Sequence, residues 1–542
     1  MAGLAAALGS GAITNSINEI PYNDLLFVIG ANPPEAHPVI GAKMRQALAR
    51  GASLIVVDPR RTELAEQADI WLQLRPGTDI ALLNGIMHLI LQHGWQKDDF
   101  IHECTQGFDE FAKTVAAYTP DRVEAITGVP AQKLLAAARL YAQTDRAGIY
   151  YTLGITEHIC GTDNVLSVAN LALLTGHLGR PYTGVNPLRG QNNVQGACDA
   201  GALPNYFPGY QKTDDPLAQA KFSKAWGAVL SNNPGHTLPD MFDAAVAGQV
   251  KCMYIMGEDP VLSDANALHV RKGLETLEFL VVQNLFLTET AKLADVVLPA
   301  AGFAEKDGCF ANTERRIQRV RKAIDPIGQS RPDSEIIIEL SNRLGYSMHY
   351  EHPSEIMAEM ASLAPIYAGV TYERLEEKGL QWPVPYKDHP GTQFLHENGR
   401  FTCGFGKFHA VEHQPPDEEP DADYPYLLST GRILYHYNMT TVGRSRWLTE
   451  FRPAEKVMVH PADACQLEIR DGDWLEVKSR RSVVAAQAWV TDRVLPGMVW
   501  LSFHYPDCPT NEVTNGAYDK VTKTYEYKVC AVQVHKRTTE KN

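Results

Sequence analysis

Two stretches of this chain repeat each other, and no other feature limits its possible folds as tightly. Residues 28–72 carry V-I-G-A-N-P, then V-V-D, then T-E-L-A-E-Q-A-D-I-W-L; residues 255–298 carry I-M-G-E-D-P, then V-V-Q-N, then T-E-T-A-K-L-A-D-V-V-L. Gly30 lies 32 positions before Thr62, and Gly257 lies 31 before Thr288. Matching order, chemistry and spacing over roughly forty-five residues is not a chance event. The first copy opens on a buried apolar run, Leu25 to Ile29, that ends in a glycine turn. A helix is predicted from about Pro38 to Arg50, then a strand at Leu54 to Val57 closed by Asp58-Pro59-Arg60-Arg61. Gly148 to Leu153 repeats the strand-to-glycine pattern before a helix around Asn164 to Gly176. Short apolar runs alternating with longer amphipathic stretches define a parallel sheet. The expected fold class is therefore α/β: two related mononucleotide-binding α/β units, followed by a C-terminal β-barrel.

In open parallel sheets ligands sit beyond the carboxyl ends of the strands, where tight glycine turns let backbone N–H groups approach phosphate. Asp58 and Gln283, after the second strand of each copy, are placed to read a sugar or a base. One G-x-[ND]-P alone is better explained as a turn that folds the sheet. Its recurrence in the same context points to two nucleotide moieties.

After about residue 330 the texture changes. Residues 334–382 read as amphipathic helix, with Ser334-Glu335 opening an apolar run, and Gln414 to Asp421 form a Pro-rich acidic linker. Short β segments follow at Tyr426 to Leu428, Val457 to Val459, Trp474 to Val477 and Val483 to Val490, an all-β barrel or sandwich. The expected domains are 1–191 and 192–332 (the two dinucleotide-binding α/β units), 333–420 (helical segment and linker) and 421–542 (β-barrel).

Gross composition excludes some partners. A net charge of −14 on 542 residues disfavours nucleic acid, and no run of about twenty apolar residues offers a membrane span. The nine cysteines are scattered, with no C-x-x-C, and read as reduced, buried thiols of a cytoplasmic protein. The start, M-A-G-L-A-A-A-L-G, reads like the inside of a helix with no capping residue before it, as if the chain were cut within an element.

The densest polar segment runs from Gly176 to Pro204, GHLGRPYTGVNPLRGQNNVQGACDAGALP. Its glycines and amides predict a long ordered loop, the kind that carries function. Arg189 is the candidate anion ligand, since a guanidinium pairs bidentately with a planar carboxylate, and Gln191 can share that pocket. A solvated surface loop is the plain alternative.

This loop closely resembles the active-site loop of formate dehydrogenase catalytic subunits in the molybdopterin oxidoreductase superfamily. So do G-E-D-P with A-D-V-V-L-P-A-A-G-F-A-E-K-D-G-C-F-A-N-T-E-R-R-I-Q, and T-K-T-Y-E-Y-K-V-C-A-V near the end. The resemblance spans essentially the whole chain. It implies a bis-molybdopterin guanine dinucleotide holding molybdenum or tungsten, one dinucleotide per repeat, and a barrel that closes over the pterins. By position it makes Arg189 the formate-orienting arginine, with Gln191 beside it. It sets Gly30, Asn32, Glu35, Asp58, Arg60, Gly77 and Asp79 around one guanine dinucleotide, and Gly257, Asp259, Gln283 and Asp333 around the other. Leu153, Gly154 and Glu157 line the pterin side, and Arg432, His436, Asn511, Tyr527 and Lys528 come from the barrel. Asp79 is equally explained as a helix cap, Asp333 as the residue before a helix, and His436 as an ordinary barrel histidine.

The family also uses a Cys-rich N-terminal segment for a [4Fe–4S] cluster, a lysine between cluster and pterin, and a cysteine or selenocysteine metal ligand followed by histidine. None of these is in the sequence, so no metal ligand is assigned and the polypeptide as written is expected to be inactive. The expectation is an upstream in-frame UGA codon read as a stop, with the V-A-G-L-A valine of relatives taken as a start; absence of that codon would sink the idea. For the complete enzyme the resemblance implies interconversion of formate and carbon dioxide, with electrons passing to an iron–sulfur, NAD-linked or hydrogenase-linked partner subunit. The alternatives are a nitrate reductase-like member of the superfamily, or an inactive cofactor-binding or structural subunit.

Overall fold

A computed structural model describes residues 1–537. They form two compact units: Met1–Leu188 with Leu262–Ala267 and the chain from Phe394 on, and Arg189–Val261 with Leu268–Gln393.

The first unit opens on a five-stranded sheet of β1 (Leu25–Ile29), β2 (Ser53–Val57), β3 (Ile70–Leu72), β4 (Ala147–Tyr151) and β5 (Gly184–Pro187). All pairings are parallel and the order is β3-β2-β1-β4-β5. Helices α1 (Ala2–Leu8), α2 (Pro38–Ala49), α3 (Asp79–Gln92) and α4 (Gly161–Thr175) surround it. Leu26 and Val28 of β1 share a core with Ile40 and Met44 of α2. Leu25, Phe27 and Ile29 face the opposite way, into the core that holds α3 and α4. A strand covered on both faces has no polar side to show, which is why β1 reads as an unbroken apolar run. Each such side chain contributes roughly 1.5–3 kcal/mol of burial. Strand order reverses between β1 and β4, so the turns after these strands flank the position where such sheets take ligands.

In the second unit β6 (Cys252–Met256), β7 (Phe279–Asn284) and β8 (Val296–Pro299) form a parallel sheet of order β8-β7-β6, matching β3-β2-β1. The repeat extends to individual hydrogen bonds. Gly30 N–H donates to the Val57 carbonyl at 3.0 Å, and Gly257 N–H to that of Gln283 at 2.8 Å. Leu54 N–H donates to Asp69 at 2.8 Å, and Leu280 N–H to Asp295 at 2.7 Å. Thr62 Oγ1 accepts from Ala65 N–H and Thr288 Oγ1 from Ala291 N–H, so the shared threonine starts a helical turn and the shared aspartate pins a strand. This register pairs Val57 with Gln283 and Asp58 with Asn284; Gln283 belongs to β7 itself, one position before its last residue.

The segment 176–204 departs from the single loop expected. It contains β5 and the short helix α5 (Val194–Asp199). Gly184 and Asn186 are poor strand formers, but β5 pairs with β4 along its length and buries Val185 completely. Tertiary pairing outweighs local propensity here. Residues 334–382 are helical as expected in α6 (Asp333–Arg343) and α7 (Pro353–Leu363), then break into short turns and a strand at Leu380–Gln381.

The last part of the first unit is a closed barrel of β9 (Tyr426–Gly431), β10 (Lys456–Val459), β11 (Trp474–Lys478), β12 (Val483–Val490), β13 (Met498–Ser502) and β14 (Cys530–Lys536), in the order β9-β13-β10-β12-β11-β14. Closure leaves no strand edge exposed. The acidic stretch before it is a strap rather than a free linker. Glu418 pairs with Arg481 at 2.6 Å and accepts the Ala531 N–H at 3.0 Å, and Arg480 stacks over Tyr424.

All nine cysteines are free thiols, but only Cys160, Cys508 and Cys530 are fully buried; Cys252, Cys403 and Cys465 are exposed. Among the described residues no helix is long and apolar enough to cross a membrane, and no group of three or more His, Cys, Asp or Glu side chains is arranged to hold a metal ion.

Candidate active site

The turns after β1 and β4 meet back to back. Gly30 has φ +54, and a Cβ on it would lie 2.7 Å from the carbonyl carbon of Gly154. A Cβ on Gly154 would lie 2.6 Å from Gly30 Cα. Gly154 N–H and Thr152 Oγ1 both donate to the Gly30 carbonyl, at 3.1 and 2.8 Å. Only glycine fits at either position, and their contact sets the mouth of the crevice.

Around this mouth stand Asn32, Glu35, Asp58 and Arg60. Arg60 lies over the indole of Trp500 at 4.3 Å, reaches Glu35 at 3.3 Å, and is 8% exposed. Its backbone N–H donates to Asp58 Oδ1 at 2.8 Å. Burial pushes the Asp58 carboxyl up to about 6, with Asp79 and Glu35 adding to the rise and Arg60 opposing it. The Asn32 amide is the most telling group. Its Nδ2 and Oδ1 are both buried and neither makes a hydrogen bond. Leaving such a group unsatisfied costs about 1–3 kcal/mol.

Asp58 has a testable consequence. Its folded pKa lies above the unfolded value of 3.8, so the folded state holds the proton more tightly, and the carboxylate destabilises the fold increasingly as pH rises from about 4 through about 6. Asp58→Asn in the cofactor-free protein should therefore raise stability by on the order of 1–2 kcal/mol near pH 7.5 and leave it unchanged near pH 4. Urea unfolding midpoints at the two pH values check this; an equal change at both would reject it.

Gly77 has φ +81 at the turn before α3, with Pro416 nearest. Asp79, the first residue of α3, is buried and lies 3.9 Å from His158 Nε2. That imidazole donates to the Gly154 carbonyl at 3.0 Å, and its Nδ1 lies 3.8 Å from Glu526. Burial works against the imidazolium, but Glu526 and Asp79 outweigh it and raise the pKa. His158 lies four residues after the glycine turn and Glu526 lies within T-K-T-Y-E-Y-K-V-C-A-V, but neither is assigned a role from the sequence.

Leu153 is partly exposed. Glu157 pairs with Lys528 at 2.6 Å, and Lys528 also donates to the Thr430 carbonyl at 3.2 Å. Tyr527 OH donates to the Ser263 carbonyl and accepts the Ala265 N–H at 3.1 Å. Asn511 Nδ2 donates to the carbonyls of Leu262 and Ser263, while its buried Oδ1 has no partner. Burial pushes the Arg432 guanidinium down against the pull of Glu157; it bonds Asn438 and lies over Phe503. His436, in the loop after β9, donates from Nε2 to the Arg452 carbonyl at 3.0 Å and lies 5.4 Å from the Tyr505 ring.

In the second unit Gly257 has φ +69, and a Cβ on it would meet nothing within 4 Å, so this turn is open. Asp259 accepts from Thr290 N–H and Oγ1 at 2.9 and 2.7 Å. Gln283 donates to Asp333 at 2.6 Å and accepts from Tyr254, and Lys306, not expected from sequence, pairs with the same Asp333. Arg189 donates from Nε and Nη2 to Gln195 Oε1 at 3.3 and 3.2 Å, and its backbone N–H to Thr313 Oγ1 at 3.0 Å. Gln191 is half-buried two residues on.

The residues fit phosphate-bearing groups: each unit has a glycine turn at a strand end, and the first adds an unsatisfied Asn32 amide and the half-buried Asp58 carboxylate, which can accept from N–H donors. Strand-end turns of this kind are where parallel sheets take nucleotides. The chain belongs to the molybdopterin oxidoreductase family: the family profile "Molybdopterin oxidoreductase" matches residues 4–343, and "Molydopterin dinucleotide binding domain" matches residues 426–531. It is 48% identical over 539 residues to "F420-dependent formate dehydrogenase 2 subunit alpha" of Methanococcus maripaludis, covering 98% of this chain and 79% of that one. It is 40% identical over 541 residues to "Formate dehydrogenase H" of Escherichia coli, covering 98% and 76%. Acetylene hydratase from Pelobacter acetylenicus shares the fold, with TM-score 0.74 at 20% identity over 99% of this chain and 80% of that structure.

Proposed function

We propose that this chain is the catalytic subunit of a formate dehydrogenase, converting formate to carbon dioxide, a proton and two electrons. The observation that carries the reading is Arg189, whose guanidinium plane is set by Gln195 within V-N-P-L-R-G-Q-N-N-V-Q-G-A-C-D. A fixed planar fork matches a carboxylate in a way that a flexible ammonium does not. The names of the relatives, formate dehydrogenase alpha subunits and formate dehydrogenase H, support the same substrate.

A bis-molybdopterin guanine dinucleotide with molybdenum or tungsten would supply the two-electron acceptor for this reaction. Gly30, Asn32, Glu35, Asp58, Arg60, Gly77 and Asp79 would hold one guanine dinucleotide, and Gly257, Asp259, Gln283 and Asp333 the other. Leu153, Gly154 and Glu157 would face the pterin, with Arg432, His436, Asn511, Tyr527 and Lys528 from the barrel. Arg189 would orient the carboxylate, and Gln191 would donate to it from the same turn. In this reading the domains divide at about residues 191, 332 and 420. Electrons would leave through a [4Fe–4S] cluster outside this sequence to an electron-transfer subunit, a role supported by the word "subunit" in the relatives' names. The free thiols suit a reducing cytoplasm.

The test is dye reduction by the cofactor-loaded complete enzyme that contains this chain. Formate-dependent reduction of a viologen, with no reduced-viologen oxidation by nitrate, is expected. Nitrate turnover without formate turnover would replace the proposal with a nitrate reductase-like one. Bound pterin with neither activity would replace it with a cofactor-binding subunit.

A further inference from the structure

Arg189 does not stand alone. Gln195 and Asp199 are both on α5, four residues apart and so on one helical face. An arginine side chain only donates, so Gln195 must turn its Oε1 toward Arg189, and its Nε2 then needs acceptors. It finds Asp199 Oδ1 at 2.7 Å and Tyr210 OH at 2.8 Å. Tyr210 OH donates in turn to the same Oδ1 at 2.7 Å, and Tyr367 OH to Oδ2 at 2.6 Å. Every one of these bonds runs toward Asp199, which is 0% exposed. The carboxylate therefore decides which way the Gln195 amide faces, and the amide decides how the guanidinium lies.

We infer that Gln195 and Asp199 are positioning residues for a substrate carboxylate, acting through Arg189. This rests on the formate reading above. A buried carboxylate with no cation in direct contact is expensive, and folds usually remove or pair such a group. Here Arg189 is one amide away, and that spacing serves a purpose. A direct Asp–Arg bridge would fix the fork but compete with an incoming anion for it. An amide between them holds the Nε–Nη2 edge with a neutral oxygen and leaves the positive charge of the guanidinium to attract an incoming carboxylate. The supports are themselves held in place. Tyr210 sits at φ +60, a region that bulky residues enter only when their surroundings enforce it. Asn193 Oδ1 accepts the Ala311 N–H at 3.0 Å, tying the start of α5 to the strand Gly308–Ala311.

The experiment compares Gln195→Met and Asp199→Asn with wild type in the cofactor-loaded complete enzyme. Gln195→Met keeps volume but removes the acceptor, and is expected to raise the formate KM on the order of 30- to 100-fold with kcat within about threefold. Asp199→Asn keeps the shape but removes the charge, and is expected to raise KM about five- to tenfold. A second readout does not depend on turnover: the rate at which phenylglyoxal labels Arg189, followed by peptide mass spectrometry. A guanidinium that has lost both bonds to Gln195 Oε1 should label at least about tenfold faster in Gln195→Met, the scale of a hydrogen bond to a charged group. Unchanged KM and labelling, with only a lowered Tm, would show that the network is structural glue and overturn the inference. A wild-type enzyme inert to formate would reject the formate reading instead, while the labelling comparison would still decide the role of Gln195.

Discussion

Arg189→Lys in the complete enzyme is expected to lower kcat/KM for formate by roughly a hundred- to a thousandfold, and Arg189→Met by more. Lysine keeps the charge but replaces a planar fork with a point donor, so it can attract formate without orienting it. The loss corresponds to about 3–4 kcal/mol, the scale of a bidentate charge-assisted pair in a desolvated site. Pterin content should stay at the wild-type level, because the Arg189 side chain is held by Gln195, which is not among the residues assigned to the cofactor. Steady-state kinetics with a viologen acceptor, beside pterin fluorescence released on denaturation, separates the two effects. Activity within threefold of wild type in Arg189→Met would remove this residue from the reaction.

The second large effect is expected at the contact between the two strand-end turns. Gly154→Ala puts a methyl 2.6 Å from Gly30 Cα, backbone against backbone, and no side chain can move aside to admit it. The turns must separate, which disturbs β1, β4 and the carbonyl of Gly30 that both Thr152 and Gly154 hold. A destabilisation of about 3 kcal/mol or more and loss of bound pterin are expected. Gly257→Ala is the informative contrast. It also needs a positive φ, but its surroundings are open, so about 1 kcal/mol of backbone strain is all the fold should register. Pterin loss from that variant would report contact with the ligand rather than a packing defect. Thermal melts and pterin content for both variants test the pair, and a Gly154→Ala protein with wild-type stability and full pterin would contradict the geometry.

Much of this was legible because its causes are local. The strand β1 shows as five apolar residues ended by glycine, and the threonine and aspartate of each repeat mark a helix start and a strand anchor that reappear as the same hydrogen bonds. The barrel strands β9 to β12 showed as short β segments set off by turn residues. The strand β13 did not, since all five of its residues are buried and nothing alternates. The strand β5 was hidden for the opposite reason: its composition argues against a strand, and only pairing with β4 makes it one. The support behind Arg189 was out of reach in a different way. Gln195 and Asp199 lie in the polar segment that stands out in sequence, but Tyr210 and Tyr367 come from elsewhere in the chain, and direction in a hydrogen-bond network appears only when all its members are in place. For the same reason Trp500 beneath Arg60 and Glu526 beside His158 carry no local mark of their role.

The cation–π stack of Arg60 on Trp500 joins residues 440 positions apart, and Thr162 likewise donates to Asp519 at 2.9 Å. Chains grow at about 5–20 residues per second, so roughly 20–90 s pass between synthesis of the first partner and of the second. Throughout that interval the first sheet lacks Trp500 and Asp519, the barrel residues that Arg60 and Thr162 contact. The first unit therefore cannot complete its fold as its N-terminal half emerges, and its last contacts form only when the barrel strands have been made.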